Sequence, residues 1–174
     1  MAEFVMKRLV SDAGLDAFFH IESAALRDDE LGSPVHRGTR RVLEKRGISC
    51  DGKTARKVVR KDYDAFDLIV GMDHENEEDM RDFFNDDPKN KCRLLLSFAG
   101  SNRVVSDPWY HGDFEKTYAD VVKGCEALLE YCKKNYLTRY SAETSTKKDA
   151  PSPNIRGTRA PFFVFFQNIF LTKF

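Results

Sequence analysis

The chain has 174 residues, a length that suits one domain with a substantial core. Its 28 lysines and arginines equal its 28 aspartates and glutamates, so the net formal charge is zero. This balance argues against a dedicated nucleic-acid or membrane-surface binder, which needs an excess of cations. No apolar stretch is long enough to cross a bilayer and no secretory signal is evident, so we expect a cytoplasmic location.

The four cysteines do not form the Cys-x-x-Cys pairs typical of redox and zinc sites. Cys125 and Cys132 lie on one face of a helical pattern, so we expect both to be buried there. Cys50 and Cys92 have no neighbour at metal-ligand spacing. The sequence therefore predicts reduced thiols, with no disulfide, no metal site and no bound cofactor.

Helical and strand-like patterns alternate over the first 135 residues. Met1, Val5, Leu9 and Ala13 form one apolar stripe, which predicts a helix that Gly14 ends. The further predicted elements are a strand at 17–21, a helix at 39–46, a strand at 66–72, a helix at 75–84, a strand at 93–98 and a helix at 114–132. Strands that alternate with helices run parallel, so we predict an α/β fold with three layers, in which helices flank a twisted parallel sheet.

The composition changes after Asn135. Residues 136–159 include a stretch rich in Ser, Thr, Lys and Pro, which predicts a disordered linker. Residues 160–174 are apolar and strongly β-prone, a pattern that aggregates when it is exposed. We therefore predict one domain at 1–135, a linker, and an apolar tail whose role the sequence leaves open.

Asp107 is the candidate functional residue that stands out first. The following proline keeps its backbone out of the helical region, and Trp109 and Tyr110 come next. A carboxylic acid beside aromatic side chains can hold its proton near neutral pH, which suits protonation of a leaving oxygen. The alternative is an ordinary Asp-Pro turn that opens a loop before a helix.

The motif Asp107-Pro108-Trp109-Tyr110, followed by a helix with Gly124-Cys125, resembles the general-acid loop and last helix of low-molecular-weight protein tyrosine phosphatases. Further similarities follow in the family's order and together span residues 1–134. They are Met1-Ala2-Glu3, His20 to Ala24, the spacing of Gly32, Pro34 and Arg37, Gly47-Ile48, Ala55-Arg56, and Asp64 to Asn76.

The resemblance implies hydrolysis of phosphotyrosine proteins or small aryl phosphates through a cysteinyl-phosphate. It assigns the general acid to Asp107 and a supporting role to Ser23. Trp109 and Tyr110 would line the cleft and stack on the substrate ring, although packing at its rim would also explain them. The family's nucleophile lies in a Cys-x5-Arg-Ser loop between its first strand and first helix, where backbone N–H groups hold the phosphate.

This chain departs from the family at that loop. Its one Cys-x5-Arg spacing, from Cys50 to Arg56, contains the acidic Asp51 and is not preceded by an apolar strand, so we interpret it as coincidence. A histidine common in the family is replaced by Lys53. The first strand and the phosphate loop are therefore predicted to be missing, and the chain as given is predicted to be inactive.

The apolar tail offers a candidate for the missing strand. Residues 163–169 loosely resemble the family's strand and loop, with Phe165 at the nucleophile position and Leu171 at the arginine position. The tail could fill the vacant place as in a circular permutant. The sequence favours the other explanation, a truncated or misjoined gene.

Three functions therefore remain open. The first is a phosphatase whose start lies upstream, and the second is a non-catalytic phosphotyrosine-binding module. The third is a relative of the arsenate reductases, to which Cys92 gives little support. The oligomeric state is not readable from the sequence.

Overall fold

The computed structural model describes residues 1–27, 31–108, 112–137 and 162–167, with the backbone alone at 137, 163, 165 and 167. Apart from short 3₁₀ and π segments, these residues form nine α-helices and β-strands. In chain order they are α1 (Ala2–Asp12), β1 (Phe19–Ala24), α2 (Arg37–Glu44), α3 (Arg60–Ala65), β2 (Leu68–Gly71), α4 (His74–Phe83), β3 (Cys92–Leu94), α5 (Phe114–Cys132) and β4 (Phe162–Gln167). None of the helices in these ranges is long and apolar enough to cross a membrane.

The four strands form one parallel sheet in the order β1–β4–β2–β3. β4 pairs with β1 from Phe162 opposite Phe19 to Gln167 opposite Ala24, and its other edge pairs with β2 from Val164 to Phe166. The strand latest in sequence is therefore an interior strand of the sheet. The position that the sequence predicts to be vacant is filled, in the arrangement that the circular-permutation hypothesis describes.

Helices cover both faces of the sheet. The larger core joins α1, α2 and α5 to one face and includes Ile21 of β1 and Val70 of β2. The smaller core joins α3 and α4 to the other face through Ile69 and Met80. Successive residues of β2 thus enter opposite cores, as the alternation of a strand requires. The predicted three-layer α/β fold is confirmed.

β4 contributes directly to the larger core. The side chains of Phe162, Val164 and Phe166 are at most 7% exposed. Burial of an aliphatic or aromatic side chain of this kind stabilises a protein by about 1.5–3 kcal/mol. Together with its pairing on both edges, this makes β4 part of the folded core of the sheet.

Three local predictions need correction. The apolar run at 93–98 forms only a three-residue strand, and a 3₁₀ turn at Leu95–Ala99 follows it. The strand expected at 17–21 begins at Phe19 and continues to Ala24. Helix α3 was not predicted because its six residues are mostly polar and show no apolar stripe; Asp62 stabilises its first turn by accepting from the Val59 N–H at 2.9 Å. The predicted linker lies almost wholly outside the described residues.

Candidate active site

The carboxyl ends of parallel strands meet at one edge of a sheet, where open α/β folds bind their ligands. Here β1, β4 and β2 end side by side at Ala24, Gln167 and Gly71. The segment that carries Asp107 returns to the same edge, because the N–H of Val105 donates to the carbonyl oxygen of Met72 at 2.9 Å. The structure thus places the candidate general acid beside the end of β2.

Side chains of α5 hold the segment before Asp107. The Thr117 hydroxyl donates to the Ser106 carbonyl oxygen at 2.7 Å, and the Ser106 N–H donates to Asp120 at 3.1 Å. Asp120 also accepts from Arg103 at 2.9 Å. Beyond Asp107, the N–H of Gly112 donates to the carbonyl oxygen of Pro108 at 2.6 Å.

Asp107 itself is neither buried nor fully exposed. Its carboxylate lies in electrostatic range of Asp73, the N-cap of α4. Burial raises the pKa of Asp73, and the nearby carboxylates of Glu75, Asp107 and Asp79 add to that effect. Trp109 and Tyr110, predicted to line the cleft, lie outside the described residues.

Ser23 lies at the end of β1 in a buried polar cluster. Its hydroxyl donates to the carboxylate of Glu3 in the first turn of α1 at 2.5 Å. Lys53 contacts the same Glu3 oxygen at 2.7 Å and donates to the Ser23 carbonyl oxygen at 3.1 Å. Burial alone would raise the pKa of Glu3, but hydrogen bonds from Lys53, Lys7 and Ser23 outweigh it and hold that pKa below its usual range.

This cluster fixes the start of α1 against the carboxyl edge of the sheet. The sequence identified Ser23 as a supporting residue but expected its partners in the missing loop. The structure provides Glu3 and Lys53 instead. Lys53 keeps a hydrogen-bond donor at the position where the family commonly has a histidine.

The Cys50 to Arg56 segment does not form a phosphate loop. Cys50 is 2% exposed, and burial raises the pKa of its thiol. Arg56 donates to Glu22 at 2.8 Å and to Asp62 at 2.9 Å, so its guanidinium joins β1 to α3. These contacts support the interpretation of the spacing as coincidence.

The other cysteines are also buried thiols. Cys125 and Cys132 are fully buried on α5, as predicted. Burial raises the pKa of both, and it raises that of Cys92 to about 12. A nucleophilic cysteine needs a lowered pKa and access to substrate. None of the four thiols meets these requirements, and within the described ranges no three His, Cys, Asp or Glu side chains are grouped to hold a metal ion.

Sequence reasoning missed Glu3, Thr117 and Asp120 as site residues. Glu3 appears in the sequence as an ordinary helix-starting acid. Thr117 and Asp120 could have been found from the sequence, because both lie on the apolar face of the helix pattern that contains Val121 and Cys125. A polar residue on such a face indicates a buried hydrogen bond.

Comparisons with known proteins identify the family and agree with the fold. The profile of the family described as low molecular weight phosphotyrosine protein phosphatase matches residues 1–138, and therefore ends before β4. Low molecular weight protein-tyrosine-phosphatase YfkJ of Bacillus subtilis is 35% identical over 131 residues, or 74% of this chain and 84% of that protein. A relative from Gallus gallus, named low molecular weight phosphotyrosine protein phosphatase, is 33% identical over 75% of this chain and 85% of its own length.

Solved structures show the same likeness. The crystal structure of YfkJ matches with a TM-score of 0.74 at 34% identity, over 78% of this chain and 86% of that one. The SP-PTP phosphatase from Streptococcus pyogenes matches with a TM-score of 0.66 at 34% identity, over 81% of this chain and 87% of that one. On the fold and these matches, the chain belongs to the low molecular weight phosphotyrosine protein phosphatase family.

Proposed function

We propose that the chain binds phosphate monoesters of tyrosine, in proteins or as small aryl phosphates, at the carboxyl edge of its sheet. Asp107 holds the general-acid position of that site, and Trp109 and Tyr110 contribute its walls. The observation that carries this proposal is the anchored segment at Ser106, which places Asp107 beside the end of β2 in a chain of this family.

Hydrolysis at such a site takes two steps. A thiolate attacks phosphorus and forms an S–P bond, while the P–O bond to the aryl group breaks and Asp107 protonates the leaving oxygen. Water then attacks phosphorus, Asp107 accepts its proton, and the S–P bond breaks to release phosphate. In the loose resemblance of residues 163–169 to the family's strand and loop, Phe165 falls at the nucleophile position and Leu171 at the arginine position. We therefore propose that the chain as given binds these esters without hydrolysing them.

The test is to restore both groups in the full chain with Phe165→Cys and Leu171→Arg. The unaltered chain should hydrolyse p-nitrophenyl phosphate no faster than a blank. The double variant should gain turnover, and a further Asp107→Asn change should lower its kcat/KM by about 10²-fold or more. Phe163→Cys with Leu171→Arg is the matched control, since it adds the same groups at the wrong spacing.

Two outcomes would contradict the proposal in different ways. Turnover by the unaltered chain would overturn the predicted inactivity. A folded double variant without turnover would overturn the correspondence between β4 and the nucleophile strand. Binding of a phosphotyrosine peptide by the unaltered chain, with none of the unphosphorylated peptide, checks the binding function directly.

A cytoplasmic location is also proposed, supported by four cysteines that are all free.

A further inference from the structure

Two polar side chains lie on the buried face of α5 where apolar residues are expected. Thr117 is 0% exposed and Asp120 is 8% exposed. They are three positions apart, so they share that face with Val121 and Gly124. Burial of a hydroxyl or a carboxylate is costly unless hydrogen bonds compensate it, so their contacts are informative.

Both side chains bind one residue, Ser106. The Thr117 hydroxyl satisfies its carbonyl oxygen at 2.7 Å, and the Asp120 carboxylate satisfies its N–H at 3.1 Å. The second Asp120 oxygen accepts from Arg103 at 2.9 Å, which orients the carboxylate. Both backbone polar groups of the residue before Asp107 are thus held by one rigid helix.

We propose that Thr117 and Asp120 are positioning residues for the general acid, an inference that rests on the function proposed above. Neither touches the substrate; both act through the backbone of Ser106. A proton donor must lie within hydrogen-bond distance of the leaving oxygen, and small displacements of it lower the rate. A carboxylic acid on a loop stays at the required distance from the leaving oxygen when a rigid helix behind the loop binds the loop's backbone.

The chain offers a matched control for Thr117. Thr39 of α2 is 2% exposed, and its hydroxyl is the buried side-chain oxygen without a hydrogen-bond partner among the described residues. Thr39→Val and Thr117→Val are therefore the same change in two buried helical positions. Only the second removes a hydroxyl that donates to a carbonyl oxygen, that of Ser106 at 2.7 Å, with that of Asp113 at 3.3 Å as the longer alternative. Thr117→Ser keeps the hydroxyl and should restore the contact.

The first experiment uses the unaltered site and needs no catalysis. Asp120→Ala should speed amide hydrogen exchange at Ser106 by about tenfold, whereas Asp120→Asn keeps an acceptor and should stay near the parent value. Thr117→Val should increase the mobility of Trp109, the single tryptophan, as measured by fluorescence anisotropy decay. Thr39→Val should change neither quantity. Unchanged exchange and anisotropy in the Asp120→Ala and Thr117→Val chains would overturn the proposed positioning.

The second experiment uses the chain with Phe165→Cys and Leu171→Arg. Phenyl phosphate needs protonation of its leaving oxygen more than p-nitrophenyl phosphate does. Thr117→Val should therefore lower kcat/KM by about tenfold or more for phenyl phosphate and by less than about threefold for p-nitrophenyl phosphate. Thr117→Ser should recover most of the loss, and Thr39→Val should show none.

The outcomes separate the two proposals. Equal losses on both esters would show a purely structural role and overturn the positioning role. A folded double variant without turnover would overturn the proposed correspondence between β4 and the nucleophile strand, and failure to bind a phosphotyrosine peptide would overturn the proposed function. In either case the exchange and anisotropy measurements would still decide whether α5 holds the loop.

Discussion

The two sides of the candidate site are held in different ways. Hydrogen bonds from α5 hold the side of Asp107, whereas strand pairing and buried apolar side chains hold the side of β4. On the acid side, Asp107 follows a residue whose backbone groups are both held by α5. On the other side, β4 lies between β1 and β2, and we propose that Phe165 and Leu171 take the positions of the family's cysteine and arginine. A strand needs apolar residues of suitable size to complete a core, whereas catalysis needs particular functional groups. A strand can therefore fill its place in the sheet whether or not it carries catalytic groups.

The largest effect is expected from removal of β4. A chain that ends at residue 150 loses three buried side chains worth about 5–9 kcal/mol together, which is comparable to the whole stability of a typical domain. We expect loss of the cooperative thermal transition, measured by circular dichroism. Deletion of 141–152, within the predicted linker, is the control and should leave the transition in place. A fully folded chain without β4 would show that the sheet is stable with three strands.

A smaller effect is expected from Lys53→Met, which breaks the cluster on the β1 side. Glu3 is 4% exposed and keeps only Lys7 and Ser23 as donors, so we expect a loss of about 2–3 kcal/mol at pH 7. Lys7→Met is the control, because Lys7 is 48% exposed and its loss should cost less than about 1 kcal/mol. Urea unfolding measures the free energy of unfolding of both variants. Equal losses would contradict the prediction that Lys53 stabilises the buried Glu3 more than Lys7 does.

The pH dependence of the same cluster follows from the lowered pKa of Glu3. Its stabilising contribution is present above the usual glutamate pKa of about 4.3 and is lost as the pH falls through the lowered value. With fewer donors, Lys53→Met should raise that pKa. The difference in stability between the variant and the parent chain should therefore shrink as Glu3 becomes protonated in both, and a constant difference down to pH 2 would argue against this assignment.

The smallest effect is expected on the acid side, from Asp73→Asn. Asparagine caps a helix as well as aspartate, so the free energy of unfolding at pH 7 should change by less than about 0.5 kcal/mol. Because the pKa of Asp73 is raised in the fold, the parent chain loses stability as the pH rises from about 4 through that raised value. The variant should lose this slope. Urea unfolding at several pH values measures it, and an unchanged slope would assign it to another group.

Local pattern predicted most elements, because α1 and α5 each show an apolar stripe with the helical period and β2 is a short continuous apolar run. It failed at 93–98, where an apolar run without period fits a strand and a buried turn equally well. It also failed for α3, whose first turn is stabilised by a side chain of Asp62 rather than by an apolar face.

Site residues that belong to a continuous sequence motif could be predicted. Site residues whose contacts join separate parts of the sequence could not. Asp107 was found from its neighbours in sequence. The contact of Ser23 with Glu3 joins residues 20 positions apart, and that of Ser106 with Asp120 joins residues 14 apart. The place of β4 depends on pairing with strands more than 90 residues away, which no local pattern encodes.

This pairing also constrains how the chain folds. A ribosome completes α1, β1 and β2 long before it reaches β4, yet β1 and β2 have no contact in the sheet except through that strand. Contacts between residues so distant in sequence slow folding. The nascent protein therefore carries an open sheet until β4 has been made, and the facing edges of β1 and β2 are exposed to chaperones and to aggregation during that time.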